Sequence, residues 1–120
     1  MAFSDDDVAA AAEDILTVEN AGLPLLLIHP DGEIAMANRA MRTLLGYGKS
    51  QLDGRTISDV FPDDGQAERW QELLRTGTMA EHPVRLRRGD GGSIAARAAS
   101  IVIFNPDGTP RLVIKRVAVV

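Results

Sequence analysis

Apolar residues recur at a helical spacing near the N-terminus and alternate with polar residues in the last third of the chain. Ser4 and the three aspartates after it are typical of a helix N-terminus, because side-chain oxygens accept its free amides and negative charge is favoured there. A stripe of mostly alanine residues continues on one face to about Val18. The pattern predicts an amphipathic N-terminal helix whose thin apolar face needs a neighbour to cover it.

Two short apolar runs, Pro24–Ile28 and Glu33–Asn38, are separated by a Pro-Asp-Gly turn. Proline presets φ, aspartate bonds the backbone and glycine accepts a positive φ, so this pattern predicts a β-hairpin. Asn38 is the expected cap of a helix over Arg39–Leu45, and the glycines that follow are expected to end it.

Short turns over Ser50–Phe61 lead to a longer helical pattern over Gln66–Thr76. Trp70, Leu73 and Leu74 share one side of that helix, so this side is expected to face the core. Three strand-like segments follow after glycine-containing turns, namely Met79–Arg88, Ile94–Phe104 and Arg111–Val120. The predicted fold class is α+β, with a five-stranded antiparallel sheet, short helices on one face and an N-terminal amphipathic helix.

The middle of the Ile94–Phe104 strand is predicted to leave space on one side of the sheet. Arg97 marks the odd-numbered side as the wetter one, so the even-numbered residues are expected to face inward. Several of them are small, and side chains or a bound molecule must fill the space. The candidate pocket residues are Met36, Met41, Trp70, Ala96, Ala98 and Ser100. We favour filling by Trp70 itself and keep a ligand as the alternative.

The odd-numbered side of the same strand is also apolar and needs a cover. The N-terminal helix of the same chain, that of a second copy, or both would serve. The candidate contact residues of such an interface are Val8, Ala11, Ala12, Ile15, Ala99, Ile101 and Ile103.

Composition narrows the function classes. With 120 residues, 45% of them apolar and 25% charged, the chain has the composition of one globular domain. A net charge of −4 disfavours a nucleic acid or an anionic membrane as partner. The N-terminus is acidic, unlike a secretory signal, and no apolar run approaches the length of about 18 residues needed for a membrane span. We therefore expect a cytoplasmic protein.

Few residues could carry chemistry. The chain has no cysteine, which excludes disulfides, thiolate metal sites and cysteine nucleophiles. His82 shares its parity with Val84 and Leu86 and is a weak candidate haem ligand, whereas His29 falls in a turn. No catalytic constellation and no metal site are predicted, so the sequence indicates no enzyme.

Seven short motifs occur in an order and spacing that resemble a PAS domain. They are LIHPDGEI at 27–34, NRA at 38–40, LLGY at 44–47, LDGR at 52–55, FPDD at 61–64, GT at 77–78 and RGDGGS at 88–93. The resemblance covers residues 19–120 and sets residues 1–18 apart as a capping or dimerisation helix. It implies an antiparallel sheet folded over a pocket walled by short helices. Two departures are His29, where many PAS domains have aspartate, and Ala118–Val120, where many have an Asp-(Ile/Leu)-Thr connector.

The resemblance also implies a function. It favours a non-enzymatic sensory module of bacterial signalling, the input domain of a histidine kinase or of a transcriptional or second-messenger regulator, acting as a homodimer. One alternative is a pure interaction and homodimerisation domain without a ligand. Another is a redox or gas sensor that carries haem or flavin. Since light-sensing members use a cysteine that this chain lacks, a flavin would have to be bound non-covalently.

Overall fold

A computed structural model describes residues 15–49, 51–62 and 66–120. Four helices and five strands lie within these ranges. In chain order they are α1 (Ile15–Asn20), β1 (Leu25–Ile28), β2 (Ile34–Ala37), α2 (Arg39–Leu45), α3 (Ile57–Val60), α4 (Gln66–Thr76), β3 (Thr78–Arg87), β4 (Ser93–Phe104) and β5 (Pro110–Val119). Of the helices in these ranges, none is long and apolar enough to cross a lipid bilayer.

The strands form one five-stranded sheet in the order β2-β1-β5-β4-β3. Every neighbouring pair is antiparallel. The last strand therefore lies in the middle, between the N-terminal hairpin and the two long strands that precede it. The predicted α+β class with a five-stranded antiparallel sheet is confirmed.

The sheet separates two apolar clusters, which define an inner and an outer face. The inner face carries the larger cluster, to which α2, α3, α4 and all five strands contribute. Among its members are Leu26, Met41, Phe61, Trp70, Leu73, Ala96, Ala98, Val113 and Val117. The outer face carries a smaller cluster built from α1, β1 and β5, with the buried members Val18, Leu25, Leu27 and Ile114. Since residues of one strand alternate between these clusters, both faces of the central strands are covered by apolar side chains.

Helix α2 has the bounds that the sequence predicts. The side chain of Asn38 accepts a hydrogen bond from the amide of Met41, which satisfies one of the free amides at the start of the helix. Gly46 ends the helix in the left-handed conformation, with φ at 77°, and donates its amide to the carbonyl of Arg42.

The N-terminal helix differs from the prediction at its end. The apolar stripe predicts a helix to about Val18, and the structure continues α1 to Asn20. The predicted start at Ser4 and the interface candidates Val8, Ala11 and Ala12 lie outside the described residues. Ile15 is the first described residue of α1, and its side chain also falls outside the description.

Two inward-facing predictions were wrong, and irregular strand pairing explains both. Met36 packs against the outer cluster, because a bulge in the β1–β2 pairing places both Ala35 and Met36 on the outer face between inward-facing Ile34 and Ala37. Phe104 is 41% exposed, because the register of β4 against β5 shifts just before it. Strict alternation along a strand does not survive such a shift.

Candidate functional site

Four of the predicted pocket residues meet on the inner face. Met41, Trp70, Ala96 and Ala98 belong to the same buried cluster, and the indole nitrogen of Trp70 donates a hydrogen bond of 2.8 Å to the carbonyl of Pro30. This bond satisfies the polar end of the ring, so that its apolar body can fill the space opposite the small residues of β4.

A buried lysine lies on the same face, which the sequence analysis missed. Lys115 is only 3% exposed, and its ammonium group lies 4.6 Å from the centre of the Phe61 ring. Burial and, to a smaller extent, the positive charge of Arg69 together lower the pKa of Lys115 to about 8. The side chain is thus still largely protonated at neutral pH, inside an otherwise apolar cluster.

Ser100 is the neighbour of Lys115 across the strands. The two residues are paired in the β4–β5 ladder, and Leu26 of β1 is paired with Lys115 on its other side. Ser100 is 2% exposed, and within the described part of the chain its hydroxyl has no hydrogen-bond partner. Side chains of directly paired residues lie roughly 5 Å apart at their Cβ atoms. The side chains of Lys115 and Ser100 therefore start from neighbouring positions in the middle of the sheet, one carrying a cation and the other an unsatisfied hydroxyl.

A signal for this pair was present in the sequence. Lys115 has the same parity as Val113 and Val117, both of which are buried in the inner cluster. A charged residue between two apolar residues of one parity indicates a buried polar site. Because the final strand is apolar on both parities, its two faces could not be told apart before the structure was known.

Asn38 joins the elements around the inner cluster to α1. It is fully buried, and its carbonyl oxygen accepts hydrogen bonds from the amides of Leu25 and Met41. Its amide nitrogen donates to the carbonyl oxygens of Val18 and Leu23, each at 2.9 Å. One side chain therefore connects the last turns of α1, the start of β1 and the start of α2.

An ion pair reinforces this connection. The guanidinium of Arg42 on α2 donates hydrogen bonds to both carboxylate oxygens of Glu19 on α1, at 2.8 and 3.3 Å, and to the carbonyl of Ala37. Both side chains of the pair are largely buried. The hydrogen bond from Arg42 lowers the pKa of the Glu19 carboxyl. The α2 helix, whose residues Met41 and Leu45 lie in the inner cluster, is thus fastened to α1.

The outer face has an apolar centre and a charged border. Ala99 is buried, and Ile101 and Ile103 are half-buried against the outer cluster. Next to them, the carboxylate of Glu81 binds Arg97 at 2.8 Å and Arg116 at 3.3 Å. The hydrogen bond from Arg97 is the main cause that lowers the pKa of Glu81. The border is therefore charged and the centre is only partly covered.

The histidines lie away from the centre of the inner cluster. His82 is half-buried on the edge strand, with Nδ1 3.0 Å from the carbonyl of Ala80. His29 is exposed. Within the described ranges, no three His, Cys, Asp or Glu side chains are grouped so that they could hold a metal ion.

These features define a class of protein: an α+β domain whose antiparallel sheet covers a small core walled by short helices. The family model with the description "PAS domain" matches residues 23–118, which is most of the chain. The chain belongs to the PAS domain family, and the resemblance seen in its motifs is confirmed. No curated protein sequence matches the chain significantly.

Solved PAS structures share this fold at low sequence identity. The PAS domain of an HTR-like protein from Haloarcula marismortui is 20% identical with a TM-score of 0.69, and the match covers 96% of this chain and 93% of that one. A PAS domain from a two-component sensor histidine kinase is 15% identical with a TM-score of 0.74, at 97% and 100% coverage. The LOV domain of a blue-light activated histidine kinase from Erythrobacter litoralis is 19% identical with a TM-score of 0.69, at 83% and 97% coverage. At these identities the similarity shows the fold alone.

Proposed function

We propose that this PAS domain is a non-enzymatic sensory module of a bacterial signalling protein, the input domain of a histidine kinase or of a transcriptional or second-messenger regulator. The input acts at the inner face and the output leaves through α1 and the outer face. A ligand or partner can shift such a domain only if it favours one of two arrangements over the other.

The observation that carries this proposal is the Asn38 junction. Asn38 holds both the end of α1 and the start of α2, and the pair of Arg42 with Glu19 links the same two helices. Because α2 contributes Met41 to the inner cluster, a rearrangement there changes the position at which α1 is held. This coupling provides a path from the inner cluster to α1, which a sensory module requires.

Amide hydrogen exchange tests the coupling directly. Met41→Ala and Leu73→Ala each remove a fully buried side chain of the inner cluster, but only Met41 lies on α2, the helix whose first turn is capped by Asn38. The global stability of each variant is measured first, so that its effect on exchange can be subtracted. We then expect the amides of residues 15–20 to exchange faster in Met41→Ala than in Leu73→Ala. Equal exchange of α1 in the two variants would contradict the proposed route.

The proposed module is a homodimer that pairs through α1 and the outer face. The half-buried Ile101 and Ile103 beside Val18 support this arrangement, since a second copy would cover their remaining exposed surface. The predicted division into a helix over 1–18 and a domain over 19–120 stays part of this proposal.

Sedimentation velocity tests the dimer. Ile101→Asp places a charge in the apolar centre of the outer face, whereas Ala95→Asp places it at an exposed position of the same strand. We expect Ile101→Asp to sediment as a monomer and Ala95→Asp to remain dimeric. A monomeric parent protein would reject the pairing.

In this proposal the inner face responds without a chromophore. LOV domains are among the structural relatives, so flavin is the cofactor to test first, with haem second. An absorption band in the visible range from the purified protein would replace the proposed mode of sensing with a cofactor-based one.

A further inference from the structure

The inner face contains a cation that has no counter-ion in the described structure. Lys115 is 3% exposed, and within residues 15–49, 51–62 and 66–120 no carboxylate forms an ion pair with its ammonium. The ring of Phe61, at 4.6 Å, offers the negative face of an aromatic system instead. Burying an ammonium with only this partner costs desolvation free energy. The presence of Lys115 in the middle of the sheet therefore suggests that a ligand supplies the missing negative charge.

A second unsatisfied group lies beside the first. The Ser100 hydroxyl is buried and without a hydrogen-bond partner in the described residues, and Ser100 is the ladder neighbour of Lys115. The ammonium and the hydroxyl are both hydrogen-bond donors. No hydrogen bond joins the two groups in the described structure, so one carboxylate whose oxygens reach both of them is complementary to the pair.

The residues around Lys115 indicate what the rest of the ligand is, beyond its carboxylate. Leu26, Val113 and Val117 flank Lys115 on the inner face, and all three belong to the apolar cluster. The positive charge of Arg69 also acts on Lys115 and adds positive potential at the ammonium. One buried cation among aliphatic side chains suits a single negative charge attached to an apolar body. A dianion would leave its second charge without a partner.

We propose that the inner face binds a small apolar monocarboxylate, whose carboxylate takes hydrogen bonds from Lys115 and Ser100 while its apolar body replaces the Phe61 ring over the ammonium. This assignment rests on the proposed sensory function and specifies its ligand class. Phe61 directly follows α3, a helix of four residues that gains little stability of its own, so displacement of its ring disturbs no long element. Phe61 and Met41 share the inner cluster, and movement of that ring is passed to α2.

Octanoate is the probe, with octanol and octylamine as ligands of matched length. The chain has two lysines, Lys115 and the exposed Lys49, so lysine side chains labelled with ¹³C and ¹⁵N give two resolved sets of signals. We expect octanoate to shift the Lys115 signals and to leave those of Lys49 in place. By titration calorimetry, octanol and octylamine should bind at least about tenfold more weakly than octanoate, because neither pairs with the ammonium.

Three variants locate the binding energy. Lys115→Met keeps the length of the side chain and removes its charge, and it should weaken octanoate at least about tenfold. Ser100→Ala removes one hydrogen bond and should weaken it roughly threefold to tenfold. Lys49→Met is the control and should leave the affinity unchanged. Since Lys115→Met removes a buried charge, we expect it to fold, and its thermal unfolding establishes this before titration.

The inference is overturned if octanoate binds Lys115→Met as tightly as the parent protein, or if octanol binds the parent as tightly as octanoate. It is also overturned if the folded parent protein binds no octanoate at all. None of these results touches the coupling of α2 to α1, which amide exchange in Met41→Ala measures without any ligand. Failure of the ligand class is thus separated from failure of the sensory function.

Discussion

The two faces of the sheet differ in where they place their polar groups and in how completely they are covered. The inner face is fully covered by helices, yet it encloses a cation and an unsatisfied hydroxyl at Lys115 and Ser100. The outer face is apolar at its centre, with its charges at the border and exposed, and it is covered only in part. The polar groups of the inner face are thus buried away from solvent, whereas those of the outer face are exposed to it.

Under the proposed function, this contrast favours an input at the inner face and an output at the outer face. A buried polar group with unmet bonds favours any ligand that supplies the missing partner, since desolvation has already occurred. A partly covered apolar face favours another surface of the same character. Asn38 forms hydrogen bonds with α2, which packs on the inner face, and with α1, which packs on the outer face. In the proposed function, it is the residue through which a movement on one face displaces the other.

The largest effect is expected at that connection. Asn38→Ala removes four hydrogen bonds and leaves the amides of Leu25 and Met41 and the carbonyls of Val18 and Leu23 without their partner. We expect the free energy of unfolding to fall by about 3–5 kcal/mol, measured by urea denaturation.

The control for this variant lies in the turn between β4 and β5. Asn105→Ala removes an exposed hydrogen bond to Thr109 and should cost no more than about 1 kcal/mol. A loss of similar size in Asn38→Ala would show that the two faces are joined elsewhere.

Lys115 gives the next effect, through pH. Its pKa is about 8 in the folded protein and 10.5 as the reference for the unfolded chain, so between these values the unfolded chain binds more protons. The free energy of unfolding therefore rises as pH increases from 8 to about 10.5, by on the order of 2–3 kcal/mol. Below pH 8 the full penalty of the buried charge is present.

Two lysine variants isolate this contribution. Lys115→Met should be more stable than the parent protein at pH 7 and should lose the rise at alkaline pH, because the buried charge is gone. Lys49→Met, at an exposed position, should keep the rise. If both variants keep it, the pH dependence belongs to other groups, and Lys115 is not buried as a charged residue.

The faces are also compared by adding the same ring to each. Ala98→Phe enlarges a fully buried residue of the inner cluster, and we expect a loss of about 1–3 kcal/mol from overpacking. Ala95→Phe adds the ring to an exposed position of the same strand and should change stability by no more than about 0.5 kcal/mol. Guanidinium denaturation of both variants measures the two changes in stability. If Ala98→Phe costs no stability, unfilled space lies in front of β4.

Local signals made much of this fold predictable. Asn38 and Gly46 mark the ends of α2, and the turn glycines separate the strands, because caps and turns depend on a few neighbouring residues. The buried site was harder, since Lys115 becomes notable only when β5 is known to lie between β1 and β4. Met36 was misplaced because a bulge depends on the pairing of two strands and leaves little trace in either one.

The smallest effect is expected at the border of the outer face. Glu81→Gln removes the charge that binds Arg97 and Arg116, but all three side chains are substantially exposed and pairs of this kind contribute little. Since the pKa of Glu81 is lowered in the folded protein, its contribution is present above the ordinary carboxyl range and is lost as pH falls through the lowered pKa. The difference in unfolding midpoint from the parent protein should therefore be slight at pH 7, and should vanish in high salt or in acid. Glu68→Gln, an exposed carboxylate on α4, is the control. A loss at Glu81 that persists in high salt would mean that the border is shielded from water, as it would be within a dimer.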